Sequence, residues 1–133
     1  MRSFKLDIVS PDSSLFSGDA ERLLVRTTDG DIEILAGHTD LFATLGVGRV
    51  KLTAGDSARY GSASGGFLTV NGGAVTLAAI TFEFANMIDQ GRAERAKERA
   101  EEAIRTAKDD RALEAAKAKL ARALCRIDVA SMK

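Results

Sequence analysis

Through the first 84 positions, apolar residues recur mostly at every second place. Phe4, Leu6 and Ile8 alternate with Lys5 and Asp7, the period of a half-buried strand. Ser10-Pro11-Asp12 stops that run, because Pro offers no ladder donor. Leu15-Phe16 is a short piece before Gly18, and Glu21 to Thr27 places Leu23, Val25 and Thr27 on one face. Asp29-Gly30 is a hairpin turn signal, followed by Ile32, Ile34 and Leu35. Beyond the polar loop Gly37-His38-Thr39-Asp40 come Leu41 to Leu45, Val50 with Leu52, Ala58 to Ser64, Phe67 to Val70, and Val75 to Ile80. Gly46-Val47-Gly48, Gly55-Asp56-Ser57, Gly65-Gly66 and Asn71-Gly72-Gly73 separate them. Roughly nine or ten short strands at this spacing predict an antiparallel sandwich or barrel. No strand alternates with a helix, which excludes a doubly wound fold.

The period then changes from two to about 3.6. The change falls at Ile88-Asp89-Gln90-Gly91-Arg92-Ala93, after which there is no aromatic residue and no Pro. Ala93, Ala96, Ala100, Ile104 and Ala107 form one helical stripe, and Leu113, Ala116, Leu120, Leu124, Ile127 and Ala130 a second. Asp89 is a good N-cap for the first helix, and either Asp109 or Asp110 for the second. The chain therefore divides into residues 1–84, a sheet unit, and residues 85–133, an antiparallel helical hairpin. Alanine stripes let helices approach closely but bury few methylenes. Such a hairpin is marginal alone and is expected to rest on something or to open.

Composition narrows the function. The chain has 133 residues, 45% of them apolar, enough for one ordinary core. No run reaches the length of a membrane span. No basic-then-apolar leader opens the chain, which argues against secretion. The single cysteine, Cys125, excludes an internal disulfide and reads as packing among Leu124, Ile127 and alanines. There are 19 basic and 19 acidic residues, a balance that argues against nucleic acid as a partner. The balance is uneven: residues 1–84 hold 7 basic and 10 acidic groups, net −3, and residues 85–133 hold 12 and 9, net +3. The second unit thus leans towards acidic partners.

No catalytic set is visible. His38 is the only histidine and lies in a loop, there is no Cys/His cluster of metal spacing, and no phosphate loop or nucleophile elbow appears. The hairpin arginines carry more. Arg92 and Arg99 share one helix face, and Arg122 and Arg126 neighbour each other on the second helix. A turn near Asp109 sets Arg92 opposite Arg126 and Arg122 between Arg92 and Arg99. Four guanidinium forks would then gather beside a helix N-terminus, a setting suited to phosphate oxygens. The alternative is a solvated face with Glu94 and Glu98 as partners.

Asp29-Gly30-Asp31-Ile32-Glu33-Ile34-Leu35-Ala36-Gly37-His38-Thr39-Asp40-Leu41, Leu45-Gly46-Val47-Gly48-Arg49-Val50, Gly65-Gly66-Phe67-Leu68-Thr69-Val70 and Ile88-Asp89-Gln90-Gly91-Arg92-Ala93 follow in order. Together with the alanine-rich hairpin they resemble the epsilon subunits of bacterial rotary F-type ATP synthases, nearly end to end. The last segment fits the family's (Ile/Leu)-Asp-x-x-Arg-Ala nucleotide motif. The resemblance implies a ten-stranded antiparallel β-sandwich with a C-terminal two-helix hairpin. It implies a non-catalytic rotor subunit of the central stalk, bound to the gamma subunit and the c-ring subunits, peripheral on the cytoplasmic face of the inner membrane, with no direct membrane insertion. It implies that the extended hairpin meets an acidic segment of a beta subunit and inhibits ATP hydrolysis. No cofactor is required; ATP is implied as a regulatory ligand of the folded hairpin, with Glu83, Ile88, Asp89, Arg92, Ala93, Arg99, Arg122 and Arg126 matching that site. Glu33 and Asp40 depart from the family, which usually has Gly and Pro there. The competing readings are a free-standing nucleotide-sensing module and a plain β-sandwich adaptor with a helical tail.

Overall fold

The computed structural model describes residues 2–132. Eight strands come first: β1 Phe4–Ser10, β2 Ser13–Ala20, β3 Arg22–Thr27, β4 Gly30–Leu35, β5 Leu41–Thr44, β6 Val47–Ala54, β7 Ser57–Asn71 and β8 Ala74–Phe84. A 3₁₀ turn, Ala85–Met87, leads to helices α1 Gln90–Thr106 and α2 Asp110–Ala130. The strands pair in the order β2-β1-β8-β7-β6-β3-β4, and β5 joins β7.

Two expectations from sequence are corrected here. Among the described residues there are eight strands, not ten, because β7 runs unbroken through Gly65-Gly66, where a break was expected, and no further strand follows β8. Gly65 and Gly66 bend β7 rather than end it, with φ of 68° and 98°, values that a residue without Cβ adopts at little steric cost. On one side of the bend β7 pairs with β6, from Val47↔Ser64 to Ala54↔Ser57, and on the other with β5, from Thr44↔Phe67 to Leu41↔Val70. One long strand thus serves both layers of the sandwich. Nor is the pairing wholly antiparallel: β1 lies parallel to β8, from Leu6↔Val75 to Val9↔Ala78. The two strands sit at opposite ends of the sandwich sequence, so no hairpin forces their direction.

β8 crosses between layers in the same place, and its burial shows it. Val75, Leu77 and Ala79 are buried, then Phe82 and Phe84, so the inward phase slips by one residue at Ile80-Thr81. Because side chains alternate along a strand, Ile80 is turned outwards. The core between the layers is continuous, with Leu6, Ile8, Leu23, Ile34, Leu52, Leu68 and Leu77 among its fully buried members.

Both helices begin as the sequence predicts. Asp89 accepts a hydrogen bond from the Arg92 amide at 3.0 Å, and Asp109 from the Ala112 amide at 2.7 Å. The helices meet through alanines: Ala93, Ala100, Ala116 and Ala123 are buried. Leu124, expected in the second stripe, is exposed instead, since Ala116, Leu120, Ala123, Ile127 and Ala130 follow the seam more closely.

The hairpin docks on the sandwich through the last turns of α2, which touch β6, β7 and the 3₁₀ turn. Val129 and Ala130 pack with Ala85 and Ile88, flanked by Tyr60 and Cys125. Ser62 donates to Cys125 Sγ at 3.2 Å, and Arg126 Nε donates to Glu83 Oε1 at 2.8 Å. Arg49 reaches Asp128 at 3.9 Å. This attachment is small and confined to one end, so its free energy is within reach of a ligand or a partner.

Candidate functional site

Where β8, the 3₁₀ turn, α1 and α2 converge lies a cleft of about 510 Å³. Its cationic members are Arg92, Arg99 and Arg126. Residues 92 and 99 are two turns apart on α1, so both guanidinium groups project from one face. Arg126 comes from α2 at the same end of the hairpin, as antiparallel pairing requires. The first turn of α1 adds its free amides and the positive end of its dipole, with the Asp89 carboxylate as cap.

Seven of the eight residues singled out from sequence line this cleft: Glu83, Ile88, Asp89, Arg92, Ala93, Arg99 and Arg126. The eighth, Arg122, does not, so three guanidinium groups converge here rather than four. One of the three is already engaged. The Arg126–Glu83 pair is part-buried, with the side chains 29% and 35% exposed, and it crosses from hairpin to sandwich. Among the described residues Arg92 and Arg99 form no ion pair, and both are exposed. An anion between them would relieve their mutual repulsion, so the site is chemically suited to a polyanion.

Apart from Glu83, the sequence missed the sandwich side of the cleft. Ser10, Ile80, Thr81 and Met87 also line it. The one available signal was the slip in apolar phase along β8, from Val75-Leu77-Ala79 to Phe82-Phe84.

The loop around His38 is held at both sides. His38 Nδ1 lies 2.7 Å from the Thr39 carbonyl oxygen, and Asp40 Oδ1 accepts from the Gly72 amide at 3.0 Å. Asp40, unusual for the resemblance, thereby ties this loop to the β7–β8 turn, a bond no proline could make. Glu33, the other unusual residue, pairs with Arg22 across β3 and β4 at 3.1 Å in the open, where such a pair contributes little. In the adjacent turn the hydrogen bond from Arg26 holds the Asp31 carboxyl below its ordinary range. Phe42 and Phe67 stack on the outer surface with ring centroids 5.4 Å apart.

Cys125 is half-buried at the docking contact. Burial pushes its thiol up, only partly offset by the hydrogen bond from Ser62, which disfavours the reactive thiolate and fits a packing role. Among the described residues no group of three or more His, Cys, Asp or Glu could hold a metal, and no helix is long and apolar enough to cross a membrane.

Comparison with known proteins agrees with this architecture unit by unit. Residues 3–85 match the β-sandwich domain of the ATP synthase delta/epsilon chain, and residues 87–131 match its long α-helix domain. The ATP synthase epsilon chain of Bacillus velezensis is 39% identical over 130 residues, covering 98% of both chains. That of Bacillus cytotoxicus is 36% identical over 133 residues, covering all of both. Among solved structures, a chain of the Euglena gracilis mitochondrial ATP synthase OSCP/F1/c-ring assembly superposes with a TM-score of 0.82 at 21% identity, over 98% of this chain and 82% of that one. A chain of the Tetrahymena thermophila mitochondrial ATP synthase central stalk and c-ring superposes with a TM-score of 0.69 at 13% identity, over 97% of each. At those identities the structures speak for the fold, and the sequence matches carry the family: this chain belongs to the ATP synthase delta/epsilon family, among its bacterial epsilon chains.

Proposed function

We propose that this epsilon chain is a rotor part of the central stalk that couples the catalytic head to the c ring, and that its hairpin restrains ATP hydrolysis when it leaves the sandwich. The chain is a non-catalytic subunit; its work is contact and conformation. The sandwich supplies the assembly contacts. We assign the His38 loop to the c-ring subunits and the Phe42–Phe67 surface to the gamma subunit, because exposed stacked aromatics suit a buried protein contact. The complex places the chain peripherally on the cytoplasmic face of the membrane, with a proton or another ion as the coupling ion. Cysteines introduced at Asp31 and His38 are expected to cross-link to c subunits in an active complex. Failure of both, with gamma still bound, would move the c-ring contact elsewhere.

ATP is the ligand we assign to the cleft, where it would hold the hairpin docked. The observation that carries this reading is the cleft's construction: its walls come from β8, α1 and α2 together, so a ligand there favours only the docked state. Arg92, Arg99 and Arg126 take the phosphates, Arg122 would have to swing in to join them, and Ile88, Asp89 and Ala93 meet the adenine, with Asp89 as acceptor for its exocyclic amine. Glu83 keeps Arg126 aimed into the cleft. Calorimetric titration of the isolated chain with ATP tests this. Arg126→Ala is expected to weaken binding by about 1.5–3 kcal/mol, the scale of a hydrogen bond to a charged group. Arg95→Ala, outside the cleft, should cost much less, and Arg122→Ala an intermediate amount. Absence of heat or thermal shift at millimolar ATP would remove the nucleotide and leave the arginines as a protein-binding patch.

A further inference from the structure

The cleft has an apolar side that phosphate binding does not use. Ile80 is 64% exposed and Met87 51% exposed, two of the largest apolar side chains left open to water, and both line the same cleft as the three guanidinium groups. Ile80 is turned out by the phase slip of β8. Met87 closes the 3₁₀ turn that joins the two units. Neither belongs to the sandwich core or to the cluster under α2. Thr81 and Ser10 stand on the same wall and add hydroxyl groups. A cleft with cations on the helices and exposed apolar side chains on the sandwich is amphipathic. Inorganic phosphate satisfies half of it; an anion that carries a flat organic group satisfies both.

Resting on the reading of the cleft as a nucleotide site, we infer that Ile80 and Met87 form the wall against which the nucleoside half of the ligand packs. They set the preference for a nucleoside polyphosphate over a bare polyphosphate. The two residues lie at the joint between sandwich and hairpin. Ligand contact with Ile80 from the sandwich and Arg92 from α1 therefore spans the joint and adds directly to docking. Met87 suits the task because its unbranched thioether adapts to the face of a ring.

The test titrates the full chain with ATP and, separately, with tripolyphosphate, following heat and melting temperature. Covering one or two methylenes per side chain is lost in each substitution. Ile80→Ala and Met87→Ala should therefore each weaken ATP binding about four- to fifteenfold, and leave tripolyphosphate binding within twofold. Arg92→Ala should weaken both ligands. Ile80→Gln and Met87→Gln keep most of the original volume and should lose ATP affinity in the same direction, which guards against an effect of altered packing. ATP affinity unchanged in all four variants, with ATP bound normally by the parent chain, overturns the assignment of Ile80 and Met87 and leaves the phosphate site standing. Equal losses for ATP and tripolyphosphate also overturn it, since the side chains would then act through the shape of the cleft. No ATP binding by the parent chain overturns the nucleotide reading itself, and this inference with it.

Discussion

Gly66→Ala is expected to cost about 3–5 kcal/mol of stability, much of the 5–15 kcal/mol that holds a typical domain folded. A Cβ built on Gly66 falls 1.9 Å from the Ala78 carbonyl oxygen and 2.9 Å from the Ala79 Cα. Both obstacles are backbone of the paired strand β8, so no side chain can swing aside. The residue also has a φ of 98°, which L side chains rarely adopt and which alone costs about 1–3 kcal/mol. Relief requires β7 and β8 to separate where both cross between layers, and it strains the 2.9 Å hydrogen bond from the Leu45 amide to the Gly66 carbonyl. Gly55→Ala is the control. Its φ is 62°, and nothing lies within 4 Å of its Cβ position, so it should cost only about 1 kcal/mol. Denaturant unfolding measures both. A Gly66→Ala chain within 1 kcal/mol of the Gly55→Ala chain would show that the bend accommodates a methyl group, and the single-strand view of β7 would fail with it.

That bend is also where sequence reading reached its limit. Alternation located the strands of the sandwich, because period-two burial is written in residues such as Phe4, Leu6 and Ile8. It could not say whether Gly65-Gly66 ends a strand or redirects one, since either use needs residues without Cβ. Counting two strands there gives nine apolar runs where the fold has eight strands. The parallel pairing of β1 with β8 was illegible for a different reason: no local signal distinguishes the direction of strands brought together from opposite ends of a sheet. The helical hairpin was legible to the level of its caps, because Asp89 and Asp109 bond amides within their own first turns. The cleft was legible on its helical side, where spacing of three, four and seven fixes which arginines share a face. Arg122 escaped that logic because summing residue numbers gives opposition along the axis but not rotation about it. Ile80 and Met87 escaped because exposure at a joint depends on how two units meet.

Deleting everything after Ile88 is expected to raise ATP hydrolysis by the assembled complex severalfold while leaving assembly intact. The remaining sandwich keeps the whole of its continuous core, and the proposed gamma and c-ring contacts lie on it. What is lost is the hairpin's charged tip. Arg105 and Lys117 are occupied by Glu102 and Glu114 within their own helices. Lys108, Arg111 and Lys119 are exposed, and among the described residues they form no ion pair. These three can meet an acidic beta-subunit segment when the hairpin extends. At about 0.2–1 kcal/mol per pair, three contacts give roughly 1–3 kcal/mol, of the order of the ~2.7 kcal/mol by which a ligand at a hundredfold excess over its dissociation constant would favour the docked state. Terms of this size can shift the hairpin between docked and extended states, and changes to either set of contacts should tip it in opposite directions. Charge reversal at Lys108, Arg111 and Lys119 should reproduce most of the deletion's effect, more weakly at high salt as screening takes over. Arg49→Ala should do the reverse: it removes the half-exposed contact to Asp128, loosens docking and lowers hydrolysis slightly. Unchanged hydrolysis in a complex verified to contain the shortened chain would remove the brake, whatever the cleft binds.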